Sequence, residues 1–190
     1  MLFRSTVNLS GNPLECDCQN ADLALHLRNA LNSSVTTWFT YQPDTGPRCA
    51  VSGESLKSVD LTDLTCPLED CPEACNCTYA PYTKDLQGRI SMGCQALPHF
   101  IANVTADNVG YVELNLSHLA LAHVDDLMVI PGMKTLTGLD LSYNNLTLVP
   151  NIPSNIVNLA LDHNLIPVVD KAFLLSRLWQ SLQLAYNPYQ

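Results

Sequence analysis

Charge is scarce in this chain of 190 residues, and positive charge is scarcest: nine Lys and Arg stand against eighteen Asp and Glu, a formal net charge of −9. So acidic and thinly charged a surface suits a neutral or basic protein partner. It argues against nucleic acid or an anionic membrane. No apolar run approaches the roughly 18 residues needed to span a bilayer, so no transmembrane helix is expected. Met1-Leu2-Phe3-Arg4 runs straight into polar residues, without the apolar core of a secretory leader. GxSxG, HExxH and phosphate-loop patterns are missing, which removes the commonest local signatures of enzymes. Cysteine is missing from everything after Cys94.

Before that point there are eight cysteines in two groups of four: Cys16, Cys18, Cys49, Cys66, then Cys71, Cys75, Cys77, Cys94. Such groups mean disulfides in an oxidising compartment or zinc in a reducing one. The close pairs are CxC rather than CxxC, a poor spacing for two thiolates to face one ion. Six N-glycosylation acceptors, Asn8, Asn32, Asn76, Asn103, Asn115 and Asn145, also favour the secretory compartment. With every thiol bridged, thiol catalysis is excluded and no cofactor or metal is expected. An oxidised, glycosylated chain without a leader reads as a fragment, with Met1 an internal methionine or an added start.

The second half is periodic. Leu114, Leu139, Leu159 and Leu182 align, with Leu116, Leu141, Leu161 and Leu184 two positions later. Three positions earlier stand Tyr111, Leu136, Ile156 and Trp179. Five positions later stand Leu119, Asn144, Asn164 and Asn187. This is LxxLxLxxNxL, the pattern of leucine-rich repeats. The LxL core predicts a short strand with both leucines inward and Asn115, Asp140, Ala160 or Gln183 outward between them. The Asn amide should bond backbone groups of neighbouring turns, and Leu119 interrupts that column in the first repeat. Parallel strands then stack into one concave sheet, with return segments on the convex side. Pro150–Asn155 should be extended, and Asp170 should cap a helical turn or two within 170–178. Val7, Leu9, Asn12 and Leu14 match the same columns, so a repeat also precedes the first cysteine.

A solenoid end exposes leucines and needs a cap. Asn12-Pro13-Leu14-Glu15-Cys16-Asp17-Cys18 follows a repeat, and Ala21–Leu31 after it has helical apolar spacing through Leu23, Leu25, Leu27 and Leu31. Cys71-Pro72-Glu73-Ala74-Cys75-Asn76-Cys77 precedes repeats, with a hairpin expected around Gln87-Gly88. The first group resembles the carboxy-terminal cap of extracellular leucine-rich-repeat proteins, and the second resembles the amino-terminal cap. Two caps in that order, followed by few repeats, resemble the membrane-proximal part of the Toll receptor family, particularly the insect Toll type.

That resemblance implies an α/β leucine-rich-repeat solenoid with two disulfide-rich caps. It implies pairs Cys16–Cys49, Cys18–Cys66, Cys71–Cys77 and Cys75–Cys94, where sequence alone allows three pairings per group. The implied domains are a last upstream repeat at 1–14, a carboxy-terminal cap at 15–67, an amino-terminal cap at 68–105 and a short second solenoid at 106–190. The implied role is a non-enzymatic ectodomain segment on the outer side of the plasma membrane, in a single-pass receptor of innate immunity or development. The implied partners are a cystine-knot cytokine of the Spätzle type and a second receptor chain. A secreted matrix or guidance protein of the Slit type is the rival reading.

Other groups carry a sharper and a plainer reading. His118 and His123 near Asp125 and Asp126 suggest a metal or acid–base cluster, but read more simply as a polar rim; His26 and His163 fall on a helical face and a variable slot. The outward strand positions are small or polar, and Asn8 and Asn115 among them are acceptors, so a spacer role fits that face better than a ligand site. Trp38, Phe39 and Tyr41 read as filling a cap core rather than as an interface.

Overall fold

The computed structural model describes residues 9, 11–29, 46–102, 109–124 and 127–188. These fall into two compact units, Met1–Cys66 with Ala80–Gln87, and Pro67–Tyr79 with Gly88–Gln190.

The first unit is small and irregular. Strand β1 (Pro13–Leu14) pairs in parallel with β2 (Arg48–Cys49), and helix α1 (Ala21–Asn29) lies between them in sequence. A 3-10 turn at Cys18–Asn20 leads into α1, capped by Asp17, whose carboxylate accepts from the Gln19 N–H at 3.0 Å. The helix buries Ala21, Ala24 and Leu27, one face at spacings of three. The sequence pointed to Leu23 and Leu25 as well, but these are only partly buried, because the alanines let the helix approach the core more closely. Leu31, with Trp38, Phe39 and Tyr41, lies outside the described residues. Leu56, Val59, Leu61 and Leu64 complete the core. The unit ends its first stretch at β3 (Cys66–Pro67). Its second stretch brings Tyr82 against the same core, with the Tyr82 hydroxyl donating to the Asp22 carboxylate.

The second unit is a sheet whose strands follow chain order: β4 (Cys75–Ala80), β5 (Gly88–Cys94), β6 (Val109–Asn115), β7 (Gly138–Asp140), β8 (Asn158–Ala160) and β9 (Ser181–Gln183). From β5 onward the pairing is parallel. Leu114, Leu139, Leu159 and Leu182 are register partners, so the sequence columns and the hydrogen-bonded register coincide. Parallel pairing forces a long return after each strand, and those returns hold the rest of the core. Leu116, Leu127, Met133, Leu136, Leu141, Ile156, Leu161 and Ile166 are fully enclosed. Leu182 and Leu184, with a described repeat on one side only, are partly buried.

Local chemistry sets the returns. Gly132 is left-handed (φ +82°), and a Cβ there would sit 3.0 Å from the Ile101 side chain, so glycine is required. Asp170 caps helix α2 (Lys171–Leu174), accepting from the Ala172 N–H at 2.8 Å. Two expectations need correction. Pro150–Asn155 is not extended throughout: the Ile156 N–H closes a turn on the Pro153 carbonyl at 3.3 Å, and the Asn155 amide donates to the Leu136 carbonyl. The hairpin does not turn at Gln87-Gly88. Gly88 opens β5, and the turn is built earlier, where the Thr83 N–H meets the Gln87 carbonyl at 2.8 Å and Leu86 takes positive φ.

Candidate functional site

The cysteines pair as Cys16–Cys49 and Cys18–Cys66 in the first unit, with Cα separations of 5.3 Å each. In the second unit they pair as Cys71–Cys77 and Cys75–Cys94, at 5.7 and 4.0 Å. Among the described residues no cysteine is free and no group of three His, Cys, Asp or Glu is placed to hold a metal. Among the same residues no helix is long and apolar enough to cross a membrane.

Three columns organise the repeats. The first is the Asn column. Asn144 is buried, and its amide donates to the carbonyls of Leu116 (2.9 Å), Leu141 (3.0 Å) and Ser142 (3.2 Å). Its Oδ1 accepts from the N–H groups of Leu119 and Leu121. Asn164 and Asn187 repeat this scheme one and two turns on. Each amide therefore satisfies backbone of its own turn and of the preceding one, where the chain leaves the sheet.

The second column stands one residue before the first, and the sequence reading missed it. His118, Tyr143, His163 and Tyr186 stack as one continuous series of rings. Centroid separations are 4.4, 4.1 and 4.2 Å, with interplanar angles of 13°, 10° and 15°. All four hold positive φ, between 54° and 61°, a conformation that costs side-chain-bearing residues about 1 kcal/mol or more each. Stacking offsets part of that cost, since an offset aromatic pair contributes about 0.5–1.5 kcal/mol beyond its buried area. The signal was readable: four ring-bearing residues share one column. His118 is thus a rung of the series, and Asp125 and Asp126 lie outside the described residues. His123 and His26 are exposed.

The third column is the solvent face of the sheet. Two rows cross it: Gly93, Asn115, Asp140, Ala160, Gln183, and Ser91, Glu113, Gly138, Asn158, Ser181. Small residues keep the relief low and open a polar trough of about 270 Å³. Arg89 pairs with Glu113 at its margin, neutralising both charges internally. Asp140 accepts from the Ser142 N–H at 2.9 Å and from the Ser142 hydroxyl at 2.6 Å. On the opposite side Arg177 donates to the carbonyls of Pro153 (2.6 Å) and Ile156 (3.1 Å) and lies 4.8 Å from the Trp179 ring centre. Burial there lowers the guanidinium pKa below its ordinary value.

Of the acceptor asparagines, Asn76, Asn115 and Asn145 are exposed, and Asn8, Asn32 and Asn103 lie outside the described residues. Asn76 sits in β4 between two bridged cysteines. Asn115 ends β6, with its Oδ1 accepting from the Ser117 N–H at 2.9 Å.

No protein-family model matches the chain. Protein toll of Drosophila melanogaster is 27% identical to it over 201 residues, covering 96% of this chain. Two solved structures of the Toll–Spatzle complex, one a glycosylated form, match it with TM-scores of 0.79 and 0.76, at 25% identity over 97% of this chain. The chain is homologous to a stretch of the Toll ectodomain. With 96% of the chain covered, the Toll likeness takes in both cysteine groups and the repeats. Toll-like receptor 9 of Mus musculus is a shorter match, 55% identical over 39 residues, or 20% of this chain. The chain spans 18% of the Drosophila Toll protein, 4% of Toll-like receptor 9 and 25% of each solved Toll chain.

Proposed function

We propose that this chain is an ectodomain segment of a Toll-like cell-surface receptor and acts as a non-enzymatic, membrane-proximal spacer that positions two receptor chains. Residues 1–14 close an upstream solenoid, 15–67 and 68–105 are its cap and the next one, and 106–190 form the short second solenoid. The whole receptor would be single-pass, act in innate immunity or development, and take a cystine-knot cytokine of the Spatzle type together with a second receptor chain. The four disulfides would keep the caps closed, and the exposed acceptor asparagines would carry glycans. The observation carrying this reading is the collinear likeness to Toll over 97% of the chain, at a TM-score of 0.79, through both caps and the repeats. The Slit-type reading is not favoured, since the likeness that runs the length of the chain is to Toll.

A chimera tests it. This segment replaces the matching stretch of Drosophila Toll in cells carrying a signalling reporter. The expected result is surface display with Spatzle-dependent signalling, and loss of signalling but not of display on Cys71→Ser with Cys77→Ser. A displayed chimera that never signals, or a cysteine variant that signals normally, counts against the spacer role.

A further inference from the structure

One acceptor asparagine differs from the others in its surroundings. Asn115 is itself part of the lining of the 270 Å³ trough on the sheet. Its register partner on one side is Gly93, where nothing lies within 4 Å of an added Cβ, so no side chain crowds the amide. On the other side come Asp140 and then Ala160, at successive strand spacings of roughly 4.8 Å. Asn158 and Gln183 flank that path. The carboxylate accepts and the two primary amides both accept and donate, the chemistry that pairs with adjacent sugar hydroxyls and an acetamido group. Gly93 and Ala160 keep the floor low beside Asn115, while the Glu113 side chain lies over Gly138. The trough contains no aromatic side chain of the kind that anchors a protein interface.

We infer that the trough is an intramolecular sugar site, filled by the first residues of an N-linked glycan on Asn115. This rests on the extracellular reading above. In the attachment step the Asn115 Nδ2 forms a bond to the anomeric carbon of a lipid-linked pyrophosphoryl oligosaccharide. The bond from that carbon to the pyrophosphate oxygen breaks, the lipid pyrophosphate leaves, and the amide gives up one proton. Tethering then holds the sugar at high effective concentration over Asp140 and Asn158. The consequence is a face closed to outside protein ligands by the molecule's own modification. Asn145 supplies the contrast: it is exposed and lines none of the described cavities.

The experiment uses the chain secreted from animal cells. Glycopeptide mass spectrometry reads occupancy at Asn115 and Asn145, and a peptide-N-glycosidase then reads release under native conditions. Both sites are expected to be occupied, with release at Asn115 about tenfold slower than at Asn145 and equal after denaturation. Asn158→Ala with Gln183→Ala should abolish the difference without changing occupancy. Occupied Asn145 with bare Asn115, or equal native release from both, overturns the inference and leaves the extracellular reading intact. No sugar at any acceptor overturns both.

Discussion

The two units solve the same problem with different means. Among the described residues, the cysteine-rich unit buries eight apolar residues in its core and carries two disulfides that close loops of 33 and 48 residues. Among the same described residues the repeat unit buries twenty-one, and its own disulfides end at Cys94, so everything beyond is held without covalent closure. A small core gains too little from burial to offset chain entropy, and cross-links reduce that entropy in the unfolded state. A repeated core gains the same neighbour contact at every turn. The lesson is that periodicity substitutes for cross-linking, provided every turn keeps its columns.

The sharpest way to break the comparison is at the cross-links. Cys16→Ser with Cys49→Ser should cost the first unit about 2–5 kcal/mol. Hydrogen exchange read by mass spectrometry should show α1 losing protection while β7 and β8 keep theirs; equal loss in both would mean the repeats depend on the bridge. Next in size is Asn144→Leu, which gives the second repeat the residue that Leu119 gives the first. It strands the Leu119 and Leu121 N–H groups and the Leu116 carbonyl, a loss of about 2–4 kcal/mol. Thermal unfolding should show the drop, and an unchanged transition would mean water replaces the amide.

Tyr143→Ala removes two stacked faces while the left-handed backbone remains, and should cost about 1–2 kcal/mol by denaturant unfolding. The smallest effect belongs to the first unit. Hydrogen bonds from the Thr62 N–H and hydroxyl hold the Asp60 carboxyl below its ordinary pKa. A depressed carboxyl contributes stability above its unfolded-state pKa and loses it as pH falls through the folded value. Asp60→Asn should therefore flatten the acid limb of a melting-temperature profile slightly and leave neutral pH nearly unchanged.

Much of this was legible because a solenoid writes its contacts at fixed intervals. The Leu114, Leu139, Leu159 and Leu182 column is a register, and Asn144 and Asn164 bond across turns as their column implies. Asp170 was legible as a cap because capping is local. The ring series was written in the sequence too, but His and Tyr share a shape rather than a chemistry, and a search for catalytic groups separates them. The turn at Ser154–Asn155 was hidden because the Asn155 amide that accompanies it donates to the Leu136 carbonyl, which belongs to another repeat. The low relief around Asn115 depends on Gly93 and Ala160 standing in one row on different strands, a coincidence no single repeat reveals.

The ring series also fixes a length scale. Successive turns differ in residue count, since Tyr143, His163 and Tyr186 are unequally spaced along the chain, yet their rings sit 4.1 and 4.2 Å apart. The outer arc absorbs every insertion while the inner pitch stays constant. Such a molecule is a ruler graduated along one edge: residues can be added to its back without moving a single mark on its front.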